Sequence, residues 1–174
     1  MRTRNPSLTN EFDFMIKFLG LLCLFMTFSW GGHLMAKREK DRIDAAEGML
    51  FLIRTIRQNI SFFRTQLSQI YRNFSHHALN DSNFSAILRQ KGLKEAYLAN
   101  QERFGFDSFT ENRILSFADQ VGKLPLEEQL TSCDMICNIL EEKLHEAKQA
   151  FPNKRKLYHV LGISFGCGIV ILFL

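Results

Sequence analysis

The sequence predicts an all-α fold: a bundle of about five to six helices flanked by an N-terminal and a C-terminal transmembrane helix. Three observations predict it. Charge is segregated, with no Asp, Glu, Lys or Arg in 18–36 or 157–174 and 35 of the 40 such residues in 37–156. Apolar residues of the middle segment recur every three or four positions and never alternate over a strand-length run. Gly92, Gly105, Gly122 and Pro125 fall between the periodic stretches, where helices stop and start.

The elements follow in chain order. Residues 1–14 read as a loose leader, with Met15 an alternative start ahead of the first apolar run. Residues 15–36 form the first predicted transmembrane helix. At about 1.5 Å per residue, each apolar run covers roughly 27–28 Å, close to the roughly 30 Å hydrocarbon core of a bilayer. A cleaved signal peptide fits poorly, because the run is long and Leu34 stands where cleavage after Ala36 needs a small residue.

Residues 37–156 form the predicted helical domain. Ile43, Ala46, Leu50, Ile53, Ile56 and Ile60 carry the first helix onward, and Leu67, Ile70, Tyr71 and Phe74 form a second piece. The polar stretch 77–83 breaks the pattern, and Ser82 or Asn83 can cap a short helix closed by Gly92. Leu93, Ala96 and Tyr97 mark another helix, ending near Gly105. Ser108 with Glu111 reads as a capping box for a helix ending at Gly122. Pro125 suits a first helical position. From there Leu126, Leu130, Cys133, Cys137, Leu140, Leu144, Ala147 and Phe151 form a heptad seam that Pro152 interrupts. Residues 157–174 are the second predicted transmembrane helix.

Basic residues near membrane helices stay on the cytoplasmic side. Lys37, Arg38, Lys40 and Arg42 follow the first run, and Lys154, Arg155 and Lys156 precede the second. The helical domain is therefore expected in the cytoplasm, in a two-pass membrane protein with both ends outside. The four cysteines form no disulfide framework there, and the sequons at Asn59, Asn73, Asn80 and Asn83 carry no glycan in that compartment.

No phosphate-binding glycine loop, zinc-protease motif or nucleophile elbow is present, so the expectation is a non-enzyme without metal or cofactor. Cys133 and Cys137 share a helical face with His145 two turns on, but both thiols fall on the apolar seam, where cysteine packs as a small hydrophobe. His76 and His77 read as a solvated loop pair. Residues 37–94 carry eleven basic and five acidic side chains, and 95–151 the reverse. Arg54, Arg57, Arg64 and Arg72 occupy a stretch with no acid. They either pair with the acidic half or offer a basic face to an acidic partner or lipid headgroups. Nucleic acid is not an expected partner, since no recognition motif accompanies the net charge of +4. In the second apolar run Gly162, Gly166 and Gly168 make a small-residue stripe that lets helix backbones approach, with Gly31 and Gly32 placed to receive it.

Several stretches resemble one family. Lys156-Leu157-Tyr158-His159-Val160-Leu161-Gly162 followed by Ile169-Val170-Ile171-Leu172-Phe173-Leu174 is similar to the tail of stage III sporulation protein AB of endospore-forming bacteria. Ile16-Lys17-Phe18-Leu19-Gly20 resembles its start. Ile60-Ser61-Phe62-Phe63-Arg64-Thr65-Gln66-Leu67 resembles its first interhelical turn, and Val121-Gly122 with Gln129 a later junction. Arg57, Asn59, Gln66 and Leu124-Pro125 depart from the family's usual residues. The resemblance implies a domain related to the type II secretion platform protein F. It implies a membrane scaffold in the channel between mother cell and forespore, with the helical domain on the mother-cell side. Implied partners are membrane lipids, a secretion-type ATPase and other channel subunits, with self-association a further reading. The alternative is a membrane-anchored regulator or sensor that binds a lipid or small ligand through its basic helix.

Overall fold

A computed structural model describes the backbone of residues 6–63, 66–80 and 83–173. Side chains at 6–18, 21, 24, 25, 28, 29, 63, 170, 172 and 173 lie outside the described set. Among the described residues all regular structure is helical, in eight elements: α1 (Pro6–Phe63), α2 (Leu67–Asn73), α3 (His77–Asn80), α4 (Phe84–Lys91), α5 (Leu93–Leu98), α6 (Gln101–Phe104), α7 (Ser108–Gln120) and α8 (Leu126–Phe173). The count exceeds five to six because two single-turn helices, α3 and α6, arise where the sequence offered no periodicity long enough to read. The chain divides into two compact units, Met1–Arg38 with Phe151–Leu174, and Glu39–Ala150.

In the second unit the helical period of α1 becomes a buried face: Met49, Leu52, Ile53 and Ile56 are fully enclosed, at positions that a helix brings to one side. Leu79, Phe84, Leu88, Leu93, Ala96 and Tyr97 come from the short helices, Ile114 and Phe117 from α7, and Cys133, Ile136 and Leu140 from α8. The seam of α8 is buried at Cys133, Cys137, Leu140 and Leu144 but exposed at Leu126. Gly48 is buried on α1; a Cβ there would lie 2.8 Å from Leu79 Cγ and 2.9 Å from His76 Nδ1. The glycine thus lets α3 lie directly on α1.

The helix ends correct several expectations. Gly92 divides α4 from α5 at φ +96, ψ −176, a region open essentially to glycine alone. The cap of α7 is Asp107, one residue before the predicted capping box: its carboxylate accepts from Thr110 N at 3.1 Å. Asp107 is extended, at ψ 158, whereas Ser108 already lies in the helix. Asn83 precedes α4 without a side-chain cap bond, and Ser82 lies outside the described residues. Pro125 precedes α8, its carbonyl accepting from Gln129 N at 2.9 Å. Pro152 does not end α8, which runs 48 residues through it. A proline removes one ladder bond, and helical neighbours on both sides can retain the rest. At the other terminus, α1 already includes residues 6–14, read above as a leader, with Pro6 at its first position.

In the first unit, α1 and α8 meet at Gly32. Among the described residues, no helix is long and apolar enough to cross a membrane. The predicted spans at 15–36 and 157–174 fall partly on side chains outside the described set, Phe18, Leu21, Leu24, Phe25 and Phe28 among them.

Candidate functional site

Two arginines of the predicted basic face pair with acids of the same domain. Arg54 Nη2 donates to Glu141 Oε1 at 2.8 Å. Arg57 donates from Nε and Nη2 to the two carboxylate oxygens of Asp134, the second at 3.0 Å. Hydrogen bonding and charge from Asp134 push the Arg57 guanidinium further above its ordinary value. Lys148 pairs with Glu47 along the same two helices. At Arg54 and Arg57 bases of α1 meet acids of α8, and at Glu47 and Lys148 the signs are reversed; this is the internal pairing that the sequence left open beside a partner-facing surface. Arg72 is exposed, and Arg64 lies outside the described residues.

Cys133 and Cys137 sit in the core. Burial pushes the Cys133 thiol up to about 12 and the Cys137 thiol up to about 11. A thiol so placed is a poor ligand and a poor nucleophile. His145 instead contacts Gln149, Nε2 to Nε2, at 2.9 Å on the exposed side. Among the described residues no group of three or more His, Cys, Asp or Glu side chains could hold a metal. His76 departs from expectation: it is half-buried between Phe51 and His77, with ring centroids at 5.5 and 4.5 Å. Burial lowers its pKa, His77 adds to this, and Glu47 and Asp44 oppose it.

The glycines of the first unit divide by contact. A Cβ on Gly32 would stand 2.6 Å from the Tyr158 carbonyl oxygen and 3.7 Å from Gly162 Cα. Gly166 is buried and Gly162 half-buried. Gly168 is exposed with open space where a Cβ would stand, so it lies off this contact, as does Gly31. His33 and His159 face each other beside it, ring centroids 6.2 Å apart.

A surface cleft of about 960 Å³ lies in the second unit between the end of α1, α2, the α4–α5 junction, the end of α7 and the start of α8. Ile60, Leu67, Leu93, Val121, Leu124 and Leu126 give it apolar walls. Gly122, at φ +85, forms the tight bend after α7, and a Cβ there would meet Leu67 Cδ1 at 2.8 Å. Lys91, Lys94 and Lys123 line it together with Glu95 and Asp119. Lys94 Nζ donates to Asp119 at 2.9 and 3.1 Å. Gln129 also lines it, 6% exposed, with Nε2 buried and without an acceptor among the described residues. The sequence reading missed this cleft. Its lysines are scattered over 33 positions and become neighbours only because Gly92 and Gly122 turn the chain back; Gln129 was singled out by resemblance alone.

The family model of stage III sporulation protein AB (spore_III_AB) matches residues 17–174. No curated protein and no solved structure matches the chain.

Proposed function

The chain belongs to the stage III sporulation protein AB family, and from that premise we propose that this sporulation-related protein is a membrane scaffold of the channel between mother cell and forespore. Two membrane segments anchor it, and its helical domain docks a secretion-type ATPase or other channel subunits from the mother-cell cytoplasm. The observation that carries the membrane part is the apolar exterior of the first unit. Leu19, Leu22, Met26, Trp30, Leu34 and Met35 of α1 are exposed, as are Leu157, Val160, Leu161, Ile163, Phe165 and Ile171 of α8. Exposed apolar side chains repeated along two helices mark a surface made for lipid or for another protein, and with the uncharged runs we read it as made for lipid. The uncharged runs and the basic residues at their inner ends support the same orientation.

The docking part draws support from the surface cleft of the second unit, lined by apolar and lysine side chains. The regulator alternative is the weaker reading, since Arg54 and Arg57 of its basic helix are paired within the chain. Fractionation of cells making the full chain tests the proposal. The protein should stay with membranes after alkaline carbonate washing. Single-cysteine labelling should reach positions in 39–150 only from the cytoplasmic side. A partner ATPase should co-purify and be released by salt. Extraction by carbonate, or labelling of the domain from outside, refutes the reading.

A further inference from the structure

The cleft in the second unit carries an inference that rests on the scaffold reading and sharpens it. Three features coincide there. Its lining is mixed, with the half-buried Leu67 and Leu124 presenting apolar surface over the buried Leu93. Gln129 buries an amide donor that has no acceptor among the described residues. A buried donor left unmatched is costly, so an incoming acceptor oxygen is favoured there. The lining is also lysine-rich: Lys94 is held by Asp119, while Lys91 and Lys123 are exposed with Glu95 the one other acid of the lining.

We infer that this cleft is the docking site for an acidic protein segment with an apolar anchor. One Leu, Ile or Phe side chain of the partner enters between Leu67, Leu93 and Leu124. A carbonyl oxygen of the segment accepts from Gln129 Nε2. Asp or Glu residues on either side of the anchor meet Lys91 and Lys123. This division of labour is that of a protein interface: a desolvated apolar centre supplies affinity, and charges at its edge supply orientation and rate. A volume of about 960 Å³ in an open surface cleft suits a chain segment better than a small metabolite, which pockets of this size usually enclose. This face is separate from Arg54 and Arg57 of α1, which pair with Glu141 and Asp134 of α8.

The test uses the full chain in phosphatidylcholine nanodiscs and two fluorescein-labelled decapeptides with identical Leu and Phe positions. One flanks them with Glu, the other with Lys. Fluorescence anisotropy at low salt should show binding of the Glu peptide alone. Lys91→Glu with Lys123→Glu should weaken it tenfold or more, and Gln129→Leu several-fold. The lysines are exposed, so the double variant keeps its circular dichroism and melting point even if Gln129→Leu does not fold. Equal binding of both peptides, no binding of either, or binding indifferent to the double variant overturns the inference. So does a double variant that loses affinity for phosphatidylglycerol vesicles and not for the Glu peptide, which would make the cleft a lipid site. Co-purification separates the two levels. An ATPase recovered equally by wild type and double variant refutes the cleft alone, whereas no ATPase with wild type refutes the scaffold reading and this docking role with it.

Discussion

Replacing Gly32 by Ala tests the contact between α1 and α8 in the first unit, and Gly31→Ala is its internal control. The two glycines are neighbours on one helix, so each substitution brings the same gain in helix propensity, about 1 kcal/mol. They differ in what the new methyl group meets. At Gly31 it meets nothing within 4 Å. At Gly32 it stands 2.6 Å from the Tyr158 carbonyl oxygen and 3.3 Å from its carbon. Those are backbone atoms of a helix and cannot swing aside as a side-chain end would. Relief therefore requires the helices to part by several tenths of an ångström, which weakens the dispersion contacts along the rest of the interface. Overpacking of this kind costs about 1–3 kcal/mol. The difference between the variants is thus roughly 5- to 150-fold in local opening, at about 1.4 kcal/mol per tenfold. Amide hydrogen exchange of the full chain in detergent micelles, read on peptides from 26–36 and 155–168, measures it. Gly32→Ala should lose protection in both peptides, and Gly31→Ala should keep or gain it. Equal protection in the two variants would refute the reasoning, because only the contact distinguishes them.

Leu140, 1% exposed in the centre of the α8 seam, should cost about 2–5 kcal/mol on truncation to Ala, seen as a lower midpoint in denaturant titration. Cys133 and Cys137 should resist maleimide at pH 7.5 and become reactive in guanidinium; rapid labelling of either in the folded chain would contradict their burial. His76 has a folded pKa below its ordinary 6.5, so its share of stability is present above that value and lost as pH falls through the folded value. The melting temperature should drop between pH 7.5 and 5.5 in wild type and less in His76→Phe; parallel drops would remove His76 as the cause. Asp107 titrates with the same sign at lower pH, since hydrogen bonds from Thr110 and the charge of Lys143 hold its carboxyl below the ordinary range. Asp107→Ala should therefore flatten the loss of stability seen below about pH 4.

The sequence by itself determined the class and the long elements. Apolar spacing along 43–60 and 126–151 reports which face of α1 and α8 is buried, because period is a local property that packing merely uses. Segregated charge marks the two apolar runs, and Gly92, Gly105 and Gly122 mark ends, since glycine's freedom at positive φ is also local. One-turn helices such as α3 and α6 were not legible, because four residues cannot display a period. The cap of α7 was misplaced by one residue because Asp107 and Ser108 are both good caps, and only backbone geometry chooses between them. What the tertiary structure alone decided is partnership. Charge counts left Arg54 and Arg57 free or paired, and the antiparallel contact of α1 with α8 places Glu141 and Asp134 against them. The same folding gathers Lys91, Lys94, Lys123 and Gln129, far apart in the chain, around one cleft. Pairing and clefts depend on which surfaces meet, a distance in space that no local pattern encodes.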